Sequence, residues 1–357
     1  MNTRIKTALK YLISIGLTLL FLYLAFRGTD FEKLGQALSG ANYWWALSMF
    51  PLLMLSHALR AWRWKYLLCP VKQQLRFRNL FSAMMIGYMM NNILPRAGEL
   101  VRPYAIGKLE SMSRSAAFGT VLMERILDII SFMILIACIP AVYSGPLREA
   151  FPWLEEAGIW ISTVTLLVLG LLVFLMMRRD IVMRTLDSFT RHLSKRRAGI
   201  VERIAHSFLD GFLFLKEPKN YFMIAVLTIG VWGLYILMMY LPFLAFELVD
   251  RYSLDLGSAL VVQAISSIGI IIPTPGATGP YHYFAIQSLT KLYGVDEDLA
   301  RSYAVVTHAV GFIGVTLVGI YYFLRDQLHM SEVMKAELTP NTMAPKASAA
   351  AEPTRGS

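Results

Sequence analysis

Charge and cysteine are both scarce in this chain. Only 16 % of its 357 residues are charged, against about a quarter in an average soluble domain. The two cysteines, Cys69 and Cys138, lie far apart and match no metal spacing, which excludes a disulfide framework. No Walker loop, HExxH, GxSxG or dinucleotide fingerprint occurs, so neither nucleotide chemistry nor a familiar hydrolase is indicated. What the chain has is apolar: 56 % hydrophobic residues and a mean hydropathy of +0.52. Those values exclude an ordinary soluble enzyme and a disordered polymer. The net charge of +10 belongs to basic loops beside membrane spans rather than to a nucleic-acid face.

A spanning helix needs about 20 apolar residues. Six runs approach that length: Thr7–Phe26, Tyr43–Leu59, Ile126–Tyr143, Trp160–Met177, Tyr221–Phe246 and Ala304–Phe323. The first follows Arg4 and Lys6 with no small-residue cleavage site before Arg27, so it reads as an uncleaved span. Two runs are short: Phe81–Leu94, at 14 residues, and Ser258–Ile272, at 15. They reach only about 21–23 Å.

The segments Arg60–Leu80 and Arg178–Asn220 are rich in Arg and Lys, which predicts a cytoplasmic location for both. Gly145–Gly158, Glu247–Leu256 and Lys291–Ser302 are balanced or acidic and read as outward. With the N-terminus inside, the alternation closes if each short run is re-entrant or pairs with a second crossing. Tyr281–Leu292 could lengthen into such a crossing.

The order span, span, broken hairpin, span then occurs twice, each time with an odd number of crossings. An inverted repeat with halves at about 1–158 and 159–329 is expected, and interrupted helices at matching places point to a binding site near the midplane. The fold class is an all-α polytopic membrane protein with about six full transmembrane helices and two re-entrant broken-helix hairpins. Residues 178–220 place apolar side chains at helical spacing among cations, as an amphipathic segment on the inner leaflet does. The tail 330–357 is polar and reads as disordered.

Polar groups inside apolar runs carry the functional signal. One cluster is Asn91, Asn92, Arg96, Glu99 and Arg102, in which Glu99 and Arg102 would share a helix face. Another is Glu124, Arg125 and Asp128, at the mouth of the third span. Each cluster is an ion-pair lock, a contact for a ligand or lipid headgroup, or a set of side chains snorkelling to water. The second hairpin apex, Pro273 to Pro280, offers backbone N–H groups, Gly276, Gly279 and the hydroxyls of Thr274 and Thr278, which suit a phosphate-like group. His282 and His308 lie nearby and read as hydrogen-bonded fillers.

The string Asn91-Asn92-Ile93-Leu94-Pro95-Arg96-Ala97-Gly98-Glu99-Leu100-Val101-Arg102, with Glu124-Arg125, Asp128 and Pro273-Thr274-Pro275-Gly276-Ala277-Thr278-Gly279, resembles the flippase-like family. That family is also known as the lysylphosphatidylglycerol synthase transmembrane region, or UPF0104. The resemblance covers about residues 7–325. It implies an inner-membrane protein, with both termini cytoplasmic, that moves a polar or anionic lipid between leaflets. In such relatives the aminoacylated lipid is made by a fused synthase domain; this chain ends without one, so lipid aminoacylation is not expected of it. Ala277 and Pro280-Tyr281-His282 depart from the family pattern, which commonly has a second glycine and then an acidic residue there. The implied partners are membrane lipids, anionic or phosphate-bearing, and a separate lipid-synthesising enzyme. No cofactor, metal or nucleic acid is expected. The alternatives to a flippase are a non-transporting partner of a lipid synthase or glycosyltransferase, and a lipid-modifying enzyme using Glu99 or Asp128 as base.

Overall fold

The computed structural model describes residues 3–145, 147–153 and 218–328, with side chains from residue 12, and scattered positions between 156 and 210. The expected Trp160–Met177 span, the amphipathic segment before Pro218 and the tail after Met330 lie outside the described residues, scattered positions apart. Among the described residues the chain is helical and has no strand.

The first helix, α1 (Thr3–Phe26), is followed by α2 (Phe31–Gly40), and the two are bent by 84°. Asp30 starts α2 by accepting hydrogen bonds from the backbone N–H groups of Glu32 and Lys33. Then come α3 (Tyr43–Leu68), α4 (Phe77–Ile93), α5 (Gly98–Leu109), α6 (Arg114–Val142) and a single turn, α7 (Leu147–Ala150). The second half adds α8 (Tyr221–Ala245), the short α9 (Leu248–Tyr252), α10 (Leu256–Ile271), α11 (Pro280–Tyr293) and α12 (Glu297–Arg325). The caps at Asn42, Ser113, Asp255 and Asp296 satisfy the first free N–H groups of α3, α6, α10 and α12.

Among the described residues three stretches, Arg114–Val142, Pro218–Ala245 and Glu297–Arg325, are long and apolar enough to cross a membrane; the bent pair ending at Gly40 would make a fourth. Their outer faces expose large apolar side chains, including Leu19, Ile134, Ile229 and Leu317. Such faces suit lipid rather than water. The protein is an all-α membrane protein.

Two helix boundaries that differ from the sequence expectation bear on the site. The helix that begins at Tyr43 runs to Leu68 instead of stopping at Leu59. Arg60 and Arg63 therefore stand inside a helix, not in a basic loop. No helix breaker intervenes, and Arg and Lys are good helix formers. Likewise α6 starts at Arg114, so Glu124, Arg125 and Asp128 sit well within it rather than at its mouth.

Both short runs are arms of hairpins. In the first, α4 and α5 flank Leu94-Pro95-Arg96-Ala97; in the second, α10 and α11 flank a 3-10 turn at Pro275–Ala277. The arms have 17, 12, 16 and 14 residues. At about 1.5 Å per residue none spans about 30 Å of hydrocarbon. Glycines bring the arms together: Gly87 faces Gly98 in the first hairpin, and Gly269 faces the Pro280 backbone in the second. Among the described helices the contacts of the two hairpins match. Helix α3 lies on α8, α4 on α12 as α10 lies on α6, and α5 on α6 as α11 lies on α12.

At the end of the molecule where α3 and α5 stop, Glu110 ties two connections together. Its Oε1 accepts from Asn79 Nδ2 at 2.7 Å and from the Arg76 N–H at 3.2 Å, and Lys72 Nζ is 3.1 Å from Oε2. Burial alone would raise the carboxyl's pKa, but the Asn79, Lys72 and Arg76 contacts outweigh it and hold the group below its usual range. A depressed carboxyl adds stability above the unfolded value of about 4.3, and loses it as pH falls through the lower folded value. Glu110→Gln should therefore lower the thermal midpoint at pH 7, and the gap to wild type should close at more acid pH. A pH-independent gap would show that packing, not charge, sets the effect.

Candidate functional site

Helix α3 presents His57, Arg60, Arg63 and Trp64 at spacings of three and four, hence on one side. That side meets α6, where Glu124 and Asp128 are one turn apart. Helix α5 adds Arg102, α4 adds Tyr88, and α8 adds Thr228 and Tyr235. Glu124 is fully buried and Arg60, Arg63 and Arg102 are nearly so.

The contacts form one network. Arg60 Nη2 donates to Glu124 Oε1 and Asp128 Oδ2, each at 2.6 Å, and Nη1 donates to the Tyr235 hydroxyl at 3.0 Å. Arg63 Nη2 reaches Asp128 Oδ1 at 2.6 Å and Glu124 Oε1 at 3.4 Å, while its Nη1 meets Thr228 Oγ1 at 3.2 Å. Arg102 Nη2 donates to Glu124 Oε2 at 2.6 Å. Its guanidinium also stacks on Trp64, 4.4 Å from the ring centre, and the indole N–H is held by Thr120 at 3.0 Å. Arg125, the most exposed of the four arginines, lies 3.0 Å from Asp128 and 3.3 Å from Glu124. The stem of Arg102 fits because residue 87 is glycine: a Cβ there would stand 2.8 Å from Arg102 Cδ.

Of the residues singled out in the sequence, Arg102, Glu124, Arg125 and Asp128 come together here. Glu99 does not join them. It is half-buried in the first turn of α5, and Arg102 pairs with Glu124 rather than with Glu99. Same-face spacing gave Arg102 a possible partner, but a buried carboxylate on another helix took it. The sequence reading missed Arg60, Arg63, His57 and Tyr88. The available signal was the unbroken helical spacing of residues 57, 60 and 64 past the end of the apolar run.

The remaining singled-out residues gather where the hairpin tips meet. Asn91 Oδ1 accepts from the Gly98 N–H at 2.7 Å, closing the first turn. Asn92 Nδ2 donates to Phe312 O and Thr316 Oγ1 on α12. Arg96, with φ of 60°, crosses to the second hairpin and donates to Ile271 O at 2.9 Å. At the second tip Gly276 and Gly279 have φ of 55° and 95°. A Cβ on Gly276 would press on the Phe312 ring and Asn92, and one on Gly279 would meet the α1 backbone at Thr18. The tip is thus packed against α1, α4 and α12. Thr274 is buried, its hydroxyl without a protein partner, while Thr278 is half-buried. His308 Nε2 lies 3.0 Å from Gly276 O, His282 Nδ1 accepts from the Gly279 N–H at 3.4 Å, and the two rings are 4.5 Å apart. Both histidines brace the turn, as fillers do. Among the described residues there is no cluster of three or more metal-ligating side chains.

Similarity to known proteins covers almost all of this architecture. The family described as the lysylphosphatidylglycerol synthase TM region matches residues 9–319. A UPF0104 membrane protein of Methanocaldococcus jannaschii is 23% identical over 320 residues, 86% of this chain and 92% of that protein. Another, from Methanothermobacter thermautotrophicus, is 25% identical over 299 residues, 81% of this chain and 87% of that protein. A third, from Pyrococcus horikoshii, is 27% identical over 335 residues, 89% of this chain and 97% of that protein.

Proposed function

The chain belongs to the lysylphosphatidylglycerol synthase transmembrane-region family, and we propose that it moves an anionic lipid headgroup between the leaflets of a bacterial-type inner membrane. One observation carries this reading: four arginines and two carboxylates are held inside the helical bundle, beside two broken hairpins whose tips touch. Even one unpaired charge at the bilayer centre costs about 2.5–3.5 kcal/mol on insertion scales. A headgroup can pass only along a path that already contains polar groups. The two hairpin turns serve the same end, because non-helical backbone at membrane depth is tolerated only where protein or a wet cavity meets it.

In this reading Arg102 and Arg125 attract the headgroup and Arg96 guides it at the hairpin tip. Asp128 accepts from three guanidiniums, so it acts as their fixed counter-ion. Glu99, at the start of α5 and outside that network, is the carboxyl left to carry a proton. Even with Arg60 and Arg63 moved into α3, the connection that follows keeps Lys72 and Arg76, and Arg78 stands in the first turn of α4. That bias supports cytoplasmic termini.

The test is leaflet exchange of labelled phosphatidylglycerol in vesicles holding the purified protein, beside Glu99→Gln. Exchange by wild type and its loss in a folded Glu99→Gln protein are expected. Equal exchange by both would remove Glu99 from the mechanism. No exchange with any of several headgroups would favour the non-transporting partner of a lipid-synthesising enzyme.

A further inference from the structure

The buried network does not balance. Arg60, Arg63, Arg102 and Arg125 bring four positive charges, Glu124 and Asp128 two negative ones, and among the described residues no third carboxylate pairs with these guanidiniums. The excess is two positive charges in a region of low dielectric, where uncompensated charge is expensive.

Unused hydrogen-bonding capacity has the same sign. The Nε–H of each of the four arginines is buried without a protein partner, and so is the Tyr88 hydroxyl. His57, 5 % exposed, has neither ring nitrogen partnered. His57 and Tyr88 belong to the same cluster: their rings are 4.6 Å apart, and the Arg60 guanidinium lies 5.6 Å from the Tyr88 ring centre. The guanidinium groups can only donate. A donor-rich cluster with a charge of plus two calls for a group that only accepts and carries about two negative charges. A phosphate monoester fits, at about −1.5 to −2 near pH 7. A phosphodiester headgroup carries one charge and leaves half the excess unmet.

We infer that the Arg60–Arg63–Arg102–Arg125 cluster is a binding site for a doubly charged phosphate monoester, with His57 and Tyr88 as further polar contacts. The inference rests on the anionic-ligand reading of this site and narrows it to one charge class. Arg125 is the point of entry, because its side chain is 33% exposed while those of the other three arginines are 7% or less.

Equilibrium binding separates this from transport. The full-length protein in detergent at pH 7.5 is titrated with phosphatidic acid, phosphatidylglycerol and phosphatidylcholine of identical acyl chains, and with inorganic phosphate, following the thermal midpoint. Phosphatidic acid should bind about tenfold or more tightly than phosphatidylglycerol, as one extra desolvated charge contact allows. Arg125→Gln leaves each carboxylate with a buried arginine and lowers the excess to one, so it should keep the fold and lose the preference. Stabilisation by inorganic phosphate but not by phosphatidic acid would support the site and make its ligand a free anion. Equal binding of the two anionic lipids by wild type, or a preference that survives in Arg125→Gln, would overturn the inference. Leaflet exchange is scored separately: a preference without exchange keeps this site and removes translocation, while exchange without preference does the reverse.

Discussion

Glu124→Gln is expected to lower the stability of the detergent-solubilised protein by about 3–5 kcal/mol, the usual result of removing one partner from a buried ion pair. Glu124 is the hub of the network: Oε1 receives Arg60 at 2.6 Å, with Arg125 and Arg63 at 3.3 and 3.4 Å, and Oε2 receives Arg102 at 2.6 Å. An amide keeps one accepting oxygen and turns N–H groups towards a guanidinium. The excess charge rises from two to three, and α3, α5 and α6 lose their common tether. Asp128→Asn should cost less, because Asp128 is partly exposed and Glu124 remains to hold Arg60 and Arg63. Combining Glu124→Gln with Arg102→Met restores the original excess and should recover part of the loss, giving a coupling that a double-mutant cycle measures. Thermal unfolding of Glu124→Gln, Asp128→Asn, Arg102→Met and the double variant, beside wild type, decides the matter. A Glu124→Gln midpoint equal to wild type would mean that the tether contributes nothing to the fold.

The hairpins were legible in the sequence because their signal is local. Pro95, Gly98, Pro273 and Gly276 interrupt apolar runs too short to span, and the structure breaks its helices between Ile93 and Gly98 and between Ile271 and Pro280. Glu124 and Asp128 were legible for a related reason, as charges standing within an apolar context. Arg60 and Arg63 were not. Reading by hydropathy ends a span at its first charges, and it gives those charges to the adjoining loop. The helix itself has no reason to stop before Leu68, so the burial of these arginines depends on carboxylates about sixty residues away. The pairing of Arg102 failed in the same way. Spacing within a helix says which side chains can meet, while the partner that wins is set by the fold. The bend after α1 had a readable cue in Gly28-Thr29-Asp30, a glycine with φ of 76° followed by a helix cap, but the apolar run ends at Phe26 and hydropathy says nothing of the residues just beyond it.

Gly98→Ala tests the closest backbone approach in the first hairpin, and it should be the most damaging small substitution there. A Cβ on residue 98 would lie 2.7 Å from the Gly87 carbonyl carbon and 2.8 Å from Asn91 Oδ1, with the Gly87 oxygen closer still. Two of those atoms are backbone and cannot rotate away, so the arms must separate. Overpacking of this kind costs about 1–3 kcal/mol and occasionally more. The local cost is only part of the effect. Arg102 stands one turn beyond Gly98, threads past Gly87 and depends on that approach to reach Glu124 at 2.6 Å. A displaced α5 would therefore leave Glu124 with one arginine fewer and weaken the contact of Asn91 with the first turn. Gly35→Ala is the control, since nothing lies within 4 Å of its Cβ position in α2. There, removing a helical glycine should raise stability by about 0.5–1 kcal/mol. Opposite shifts in the thermal midpoint are expected for the two substitutions. A Gly98→Ala protein as stable as wild type, and still selective among anionic lipids, would show that neither the hairpin's mouth nor the placement of Arg102 depends on this contact.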